Sequence, residues 1–404
     1  MILFIIWRLI DFSFAYLSTI FIPYLGFFPY KEIFIDYKLP IFISGFASFD
    51  GAQYLIIVRE GYNQLTQAYF PLYPIIVKFV SLIFLNNHLL AGLFISNICF
   101  FIGLLFFNKY LSLRADITSH QQTIVFLLLF PTSFFFGALY TEGLFFLLVI
   151  LALWGLKKEK YWLVAMVGFL AALTRLVGVF LIIPIVFHLI SQYQISKIKD
   201  QSHSLKVKNK KNTHALRFSN FIRFLTTNYY LLAPLLGLLT YTTYLWKTTG
   251  DPLFFFNTQP MFGANRSTHL IFLPQVYYRY VKIFITASPN FQYFISVFEF
   301  LVFNFSLFVL ILCFIDNWPK FKGKSFHLLL STDNGLLLFS FINLLLPTLT
   351  GTFSSIPRYA LMSLSVFIYL GAIQRRWIKV MIACLFGTLH IICLGLFIQG
   401  YFVG

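Results

Sequence analysis

Long apolar runs recur along the whole chain, separated by short polar or basic turns. Runs of this kind reach or approach the ~20 residues that an α-helix needs to cross a bilayer. They predict spans at roughly 2–28, 89–107, 121–138, 140–156, 162–174, 176–191, 229–247, 293–316, 334–350, 358–373 and 379–401. Several are shorter than a full crossing, and short or broken helices are tolerated at membrane depth where they line a protein-enclosed cavity. The expected fold class is therefore all-α: one integral membrane domain over 1–404, a bundle of about 11 transmembrane helices. The first run, Met1 to Phe28, carries Arg8 and Asp11 and has no small-residue cleavage site. It reads as a retained helix rather than a cleaved signal peptide.

Charge orients the bundle. Residues 192–228 hold Lys197, Lys199, Lys206, Lys208, Lys210, Lys211, Arg217 and Arg223 against one acid, Asp200. Positive loops stay on the cytoplasmic side, so 192–228 is expected to be a basic cytoplasmic loop, with 201–214 a polar linker within it. Threading outward places 108–120, 157–161, 317–333 and 374–378 on that side; with Arg8 and Lys379 these segments hold 20 of the 30 Lys and Arg. The opposite side receives a first outer loop with surface helices (29–88), the turns at Glu142 and Arg175, a second large loop (248–292) and 351–357. This requires FPLYPIIVKFVSLIFL (70–85) to lie on the membrane surface. Lys78 in its middle and Pro71 and Pro74 at its start agree with that.

Composition then excludes some classes. Only 11% of residues are charged and the mean hydropathy is +0.82, which rules out a soluble enzyme with an anchor. The net charge of +17 is topological, so no nucleic-acid partner is expected. Cys99, Cys313, Cys384 and Cys393 all lie in apolar runs without metal-ligand spacing, which predicts buried, inert thiols and no zinc site.

The remaining polar residues gather on the outer side. Asp50, Arg59, Glu60 and Tyr62 fall in FDGAQYLIIVREGY; Tyr140, Thr141 and Glu142 sit between two apolar helices. Thr174-Arg175 interrupts a long apolar run, Arg266 lies in FGANRSTH, and Arg358-Tyr359 opens a late helix in SSIPRYALM. Ionisable groups at membrane depth are costly and usually face a cavity or a partner. Each also has a plain structural role open to it. Asp50 suits the N-cap of a helix that ends before Gly61, and Glu142 suits a first-turn acid. Arg175 suits a structural pair with Glu142 or Asp50, Arg59 and Glu60 suit solvated positions, and Tyr near helix ends suits an interfacial belt.

Taken together, these motifs resemble the GPI mannosyltransferase II family (phosphatidylinositol-glycan class V type) and its prokaryotic relatives. The residues that carry the resemblance are FDGAQYL (49–55), REGY (59–62), YFPLYP (69–74), FPTSFFFGALYTEGLFF (130–146), LTRLVGV (173–179) and IPRYALM (356–362), in the family's order. Phe49 stands where the family has Trp. The resemblance implies a GT-C type multi-spanning glycosyltransferase that moves a hexose, mannose by likeness, from a polyprenyl-phosphate donor to a glycolipid or glycan acceptor, with inversion. It implies Asp50 as base, with Glu142 sharing or supporting that role. Arg175, Arg358 and Arg266 would meet the donor phosphate, with Tyr62, Tyr140 and Tyr359 beside them. No metal or other cofactor is expected, and the chain's length points to a prokaryotic cytoplasmic membrane in preference to the endoplasmic reticulum. A lipid or polysaccharide transporter, a scaffold, or a GT-C enzyme for another sugar or a protein acceptor are the rival readings.

Overall fold

The computed structural model describes residues 1–25, 31–63, 66–114, 120–204, 229–263, 265–317 and 331–404. Most of the basic loop expected at 192–228, including the greater part of the 201–214 linker, lies outside these residues, as do the lysines of 318–330. The chain is all-helical, with no strand among the described residues.

The principal helices are α1 (Ile2–Phe21), α2 (Asp50–Glu60), α3 (Leu72–Ser81), α4 (His88–Ser112), α5 (His120–Leu129), α6 (Glu142–Lys157) and α7 (Tyr161–Ala172). They continue as α8 (Ile182–Ser204), α9 (Ala233–Thr249), α10 (Leu273–Thr286), α11 (Phe291–Asn317), α12 (Thr332–Leu345), α13 (Leu364–Ala372) and α14 (Arg376–Ile398). Among the described residues, six segments are long and apolar enough to cross a membrane: Ile2–Phe21, His88–Ser112, Leu176–Tyr193, Phe291–Asn317, Thr332–Thr350 and Arg376–Ile398. This is the construction of a multi-pass membrane protein. Ile41–Ala47 and Asp50–Glu60 meet at 82°, so α2 turns sharply across the segment before it.

Other expected spans appear as shorter helices. Helices α5, α6, α7, α9 and α13 have 10, 16, 12, 17 and 9 residues, or about 14–26 Å at 1.5 Å per residue. Each is short of the ~30 Å hydrocarbon core. The expected span 121–138 stops at Leu129, just before Pro131, and continues as a 3-10 turn at Ser133–Phe136. The span 358–373 is likewise divided into Ile356–Tyr359, a 3-10 turn at Ala360–Met362, and α13. Irregular backbone at such depth survives only where protein encloses it or a cavity adjoins it. Helix α3 has 10 residues, about 15 Å, too short to cross. The Tyr73 hydroxyl pins it to the start of α4 through the Gly92 carbonyl (3.1 Å) and Ser96 Oγ (2.8 Å).

Sequence explains the main packing. Asn87 caps α4 by accepting the Leu90 N–H at 3.0 Å. Leu89, Leu93, Ser96, Phe100, Gly103, Leu104, Phe107 and Leu111 form its buried stripe at three- and four-residue spacing, while Phe94 and Leu105 face outward. Helix α6 approaches so closely that a Cβ on Gly143 would stand 2.4 Å from the Ser96 carbonyl oxygen. Phe136 stacks on Phe100 at 4.2 Å beside this seam. Helices α1 and α14 are joined by buried polar groups: Asp11 accepts from Arg8 and from His390, each at 2.8 Å.

The charged residues separate to two ends. At one end, Asp333 meets Arg114 and Lys157, each at 3.4 Å, and accepts from the Tyr110 hydroxyl; nearby segments are tied by Lys379 donating to Gln122. These contacts gather the segments around 110–122, 157, 333 and 379. Asp50, Glu142, Arg175 and Arg358 gather at the other end of α6. One cysteine departs from expectation: Cys384 is exposed, on the outward face of α14, whereas Cys99 and Cys313 are half-buried and Cys393 is buried.

Candidate active site

The irregular segment 130–141 holds the site together. Thr132 Oγ1 donates to the Pro357 carbonyl at 2.6 Å, fixing the turn that bears Arg358. On its other flank the Leu139 N–H donates to the Phe46 carbonyl (3.0 Å) and the Tyr140 hydroxyl to the Ser48 carbonyl (2.7 Å), fixing the turn that bears Asp50. Segments distant in sequence thus meet because one well-bonded loop lies between them.

Phe49 adopts φ +59°, ψ −116°, an uncommon conformation for a residue with a side chain. Its ring is wedged against Phe397 and Phe402, with centroids at 5.6 and 5.3 Å. Backbone strain of this sort persists only where the surroundings over-determine it, and here it aims Asp50 into the bundle. Asp50 is the first helical residue of α2, not its cap, and makes no capping hydrogen bond. The capping role open to it on sequence is therefore corrected: its oxygens are turned away, to Arg358 Nη1 (2.5 Å) and to the Tyr69 hydroxyl (3.0 Å). The far end of α2 does close as expected, with Gly61 at φ +86° and its N–H on the Ile57 carbonyl. Burial raises the Asp50 carboxyl pKa, but the guanidinium of Arg358 and the Tyr69 hydroxyl outweigh this and hold it below the usual carboxylate range.

Glu142 opens α6 but does more than complement a helix dipole. Its Oε1 accepts from Arg175 Nη1 at 2.6 Å and lies 3.6 Å from Arg358 Nε. Its Oε2 is buried without a hydrogen-bond partner among the described residues. Arg175 occupies an extended residue (φ −154°, ψ 148°) between α7 and a 3-10 turn, Leu176–Leu181. The acid it lacks locally arrives from α6, 33 residues away. Arg358 follows Pro357 in the short helix Ile356–Tyr359, and its charge is buried. Asp50 and Glu142 compensate it. Its guanidinium carbon also lies 5.3 Å from the Tyr140 ring and 5.6 Å from the Phe135 and Tyr359 rings. The Tyr359 ring is shared, since Arg175 lies 4.9 Å from it.

These groups line a cavity of about 1500 Å³. Asp50, Glu142, Arg175, Arg266, Arg358, Tyr140 and Tyr359 all border it. Tyr62 does not; its hydroxyl donates to the Tyr69 carbonyl at 2.9 Å, so it stands behind the wall. Arg59 is at the surface, paired with Asp36 at 3.0 Å. Exposure separates the two acids: the Asp50 side chain is 28% exposed and that of Glu142 2%. Asp50 is open to the cavity, while Glu142 borders it almost fully buried and holds two arginines in place.

Tyr69 and Glu299 also belong to this wall and were not singled out from sequence. Tyr69 begins the quoted YFPLYP stretch. Glu299 lies alone within an apolar run, the same signal of an ionisable group at membrane depth that picked out Arg175. Glu299 accepts from the Tyr280 hydroxyl (2.9 Å) and from the Ser355 N–H (3.3 Å). Among the described residues no three His, Cys, Asp or Glu side chains converge as metal ligands.

No known protein-family model, no curated protein and no solved structure matches this chain. The functional reading therefore rests on the site itself. It combines a carboxylate exposed to a cavity, a buried carboxylate behind it, and guanidinium groups bound to both. Such a site can accept a proton at Asp50 while cationic groups stand beside a developing negative charge.

Proposed function

We propose that this chain is an inverting membrane glycosyltransferase of GT-C type, with about 11 membrane passages, resembling the GPI mannosyltransferase II family. It moves a hexose, mannose by that resemblance, from a polyprenyl-phosphate donor to a glycolipid or glycan acceptor at the outer membrane face. The observation that carries the reading is the Asp50–Arg358 pair, drawn from residues 308 apart to the wall of a large cavity inside an apolar bundle.

The acceptor hydroxyl oxygen attacks the anomeric carbon as the bond from that carbon to the phosphate oxygen breaks. The proton passes to Asp50, and the lipid phosphate leaves with the bonding electron pair. A carboxylate offers about four lone-pair sites, and Arg358 and Tyr69 use two of those on Asp50. Arg358 and Tyr69 thus orient the carboxylate and leave it able to accept a proton. Charge growing on the phosphate draws on Arg358 and Arg175, whose planar donors suit phosphate oxygens. Glu142 positions both arginines. Removing a base or a charge-stabilising donor of this kind costs on the order of 10²-fold or more in rate.

The test is transfer from radiolabelled polyprenyl-phosphate mannose in membranes, comparing wild type with Asp50→Asn at matched amounts of folded protein. Transfer by wild type and at least about a hundredfold less by the variant supports the reaction and the residue. Equal transfer by both removes Asp50 from the base role. No transfer by wild type overturns the donor or the class.

A further inference from the structure

Resting on the transfer reading above, we propose that the cavity has a second anion subsite, formed by Arg266, Arg279 and Lys282, that holds the anionic phosphodiester headgroup of the lipid acceptor.

The charge pattern within the cavity carries this. Asp50, Glu142, Arg175 and Arg358 form a balanced set of two acids and two guanidiniums, joined at 2.5–3.6 Å. Arg266, Arg279 and Lys282 border the same cavity, and none has a carboxylate within 4.0 Å among the described residues. Among the described residues Arg266 makes only long contacts to neutral groups, Gln259 Oε1 and Ser355 Oγ, both at 3.4 Å. Most of its five donors are therefore free for a ligand. Arg279 is held by the carbonyls of Gly351 (3.0 Å) and Asn265 (3.3 Å), which fix its position without neutralising its charge. The absence of a side chain at residue 351 allows this, since a Cβ there would lie 2.5 Å from Arg279 Nη1. Lys282 lies three residues further along α10 and so on the same face. Glu299, the third acid on the wall, takes its hydrogen bonds from Tyr280 and Ser355 and not from these cations.

Shape and surroundings argue for a lipid headgroup. A cavity of about 1500 Å³ exceeds the ~300–1,000 Å³ of a site for one drug-sized ligand. The cavity lining also includes the apolar Ile283, Phe291, Ile295, Leu346 and Leu349, which acyl chains require. Helix α10 is amphipathic: Tyr278, Val281 and Ile285 are exposed apolar residues, while Arg279 and Lys282 border the cavity. This is the pattern of a helix in the membrane interface.

The experiment measures equilibrium binding to the full chain in neutral detergent, independently of transfer. The probes are dioctanoyl phosphatidylglycerol, dioctanoyl phosphatidylcholine and inorganic phosphate. The phosphatidylglycerol probe should bind at least about tenfold more tightly than the zwitterionic one, and Arg266→Gln should weaken it by about tenfold, the scale of one charge-assisted hydrogen bond. Lys282→Gln, an exposed change that spares folding, should weaken it severalfold. Asp50→Asn should not weaken it. Binding unaffected by Arg266→Gln and Lys282→Gln would overturn the subsite. Inorganic phosphate binding as tightly as the lipid would overturn its assignment to a lipid headgroup. If wild type binds as expected but transfers no sugar, the transfer reading fails and the subsite stands.

Discussion

The pairing of Glu142 with Arg175 makes a quantitative prediction. Both side chains are nearly buried, at 2% and 11% exposure, with nitrogen and oxygen 2.6 Å apart. Truncating one partner of a buried pair leaves an uncompensated charge and typically costs about 3–5 kcal/mol. Here the costs are unequal. Without Arg175, Glu142 keeps Arg358 Nε at 3.6 Å, so Arg175→Gln should lie near the lower figure. Without Glu142, Arg175 has no carboxylate within 4.0 Å among the described residues, so Glu142→Gln should cost more. The double variant Glu142→Gln/Arg175→Gln leaves no lone charge from this pair. Its cost should fall below the sum of the single costs by about 2 kcal/mol or more, roughly a thirtyfold effect on the folding equilibrium. Unfolding in mixed detergent–SDS micelles gives the three values. Transfer measured per folded molecule should stay low in the double variant, because Arg175 is gone. Additive costs, within about 0.5 kcal/mol, would refute the pairing as an energetic unit. Full transfer by the double variant would remove both residues from the reaction.

Other outcomes follow from the same geometry. Tyr69→Phe removes a hydrogen bond to a charged acceptor, worth about 1.5–3 kcal/mol, and should slow transfer about tenfold or more. Tyr62→Phe, behind the wall, should slow it less; the reverse order would place Tyr62 in the site. Asp50 is held below its ordinary pKa of about 3.9, so its pairing stabilises the fold fully above that pH and is lost as pH falls through the lower folded value. Arg358→Gln removes the largest opposing influence and leaves only the Tyr69 hydroxyl and Arg266 against burial, so the variant should lose less stability than wild type as pH is lowered through the carboxylate range, as pH-dependent unfolding would show. Gly143→Ala forces a Cβ to 2.4 Å from the Ser96 carbonyl oxygen and 2.6 Å from that of Phe136. It should cost about 1–3 kcal/mol in the same unfolding assay, and wild-type stability would contradict the close seam between α4 and α6.

Features that depend on local composition can be read from the chain without its fold. Apolar runs and their polar breaks marked a helical membrane protein, because the cost of dehydrating a peptide segment depends on its own residues and length. The same logic singled out Asp50, Glu142, Arg175, Arg266 and Arg358, since a charge in an apolar run is conspicuous without knowledge of its partner. It fell short where chain geometry mattered. The runs at 121–138 and 358–373 had the hydropathy of spans, but hydropathy does not register that their backbones change from α to 3-10 geometry. Asp50 suited a helix cap, yet a cap is defined by where the side chain points, and Phe49 and Arg358 decided that. Tertiary structure alone paired Asp50 with Arg358 and Glu142 with Arg175, and set Tyr62 behind the wall and Tyr69 in it. It also left Asp50 28% exposed to the cavity and Glu142 2%, the difference that separates a group able to meet substrate from one that holds others in place. These choices depend on contacts between segments 33 and 308 residues apart, and the energy of such a contact depends on packing that brings both groups out of water together.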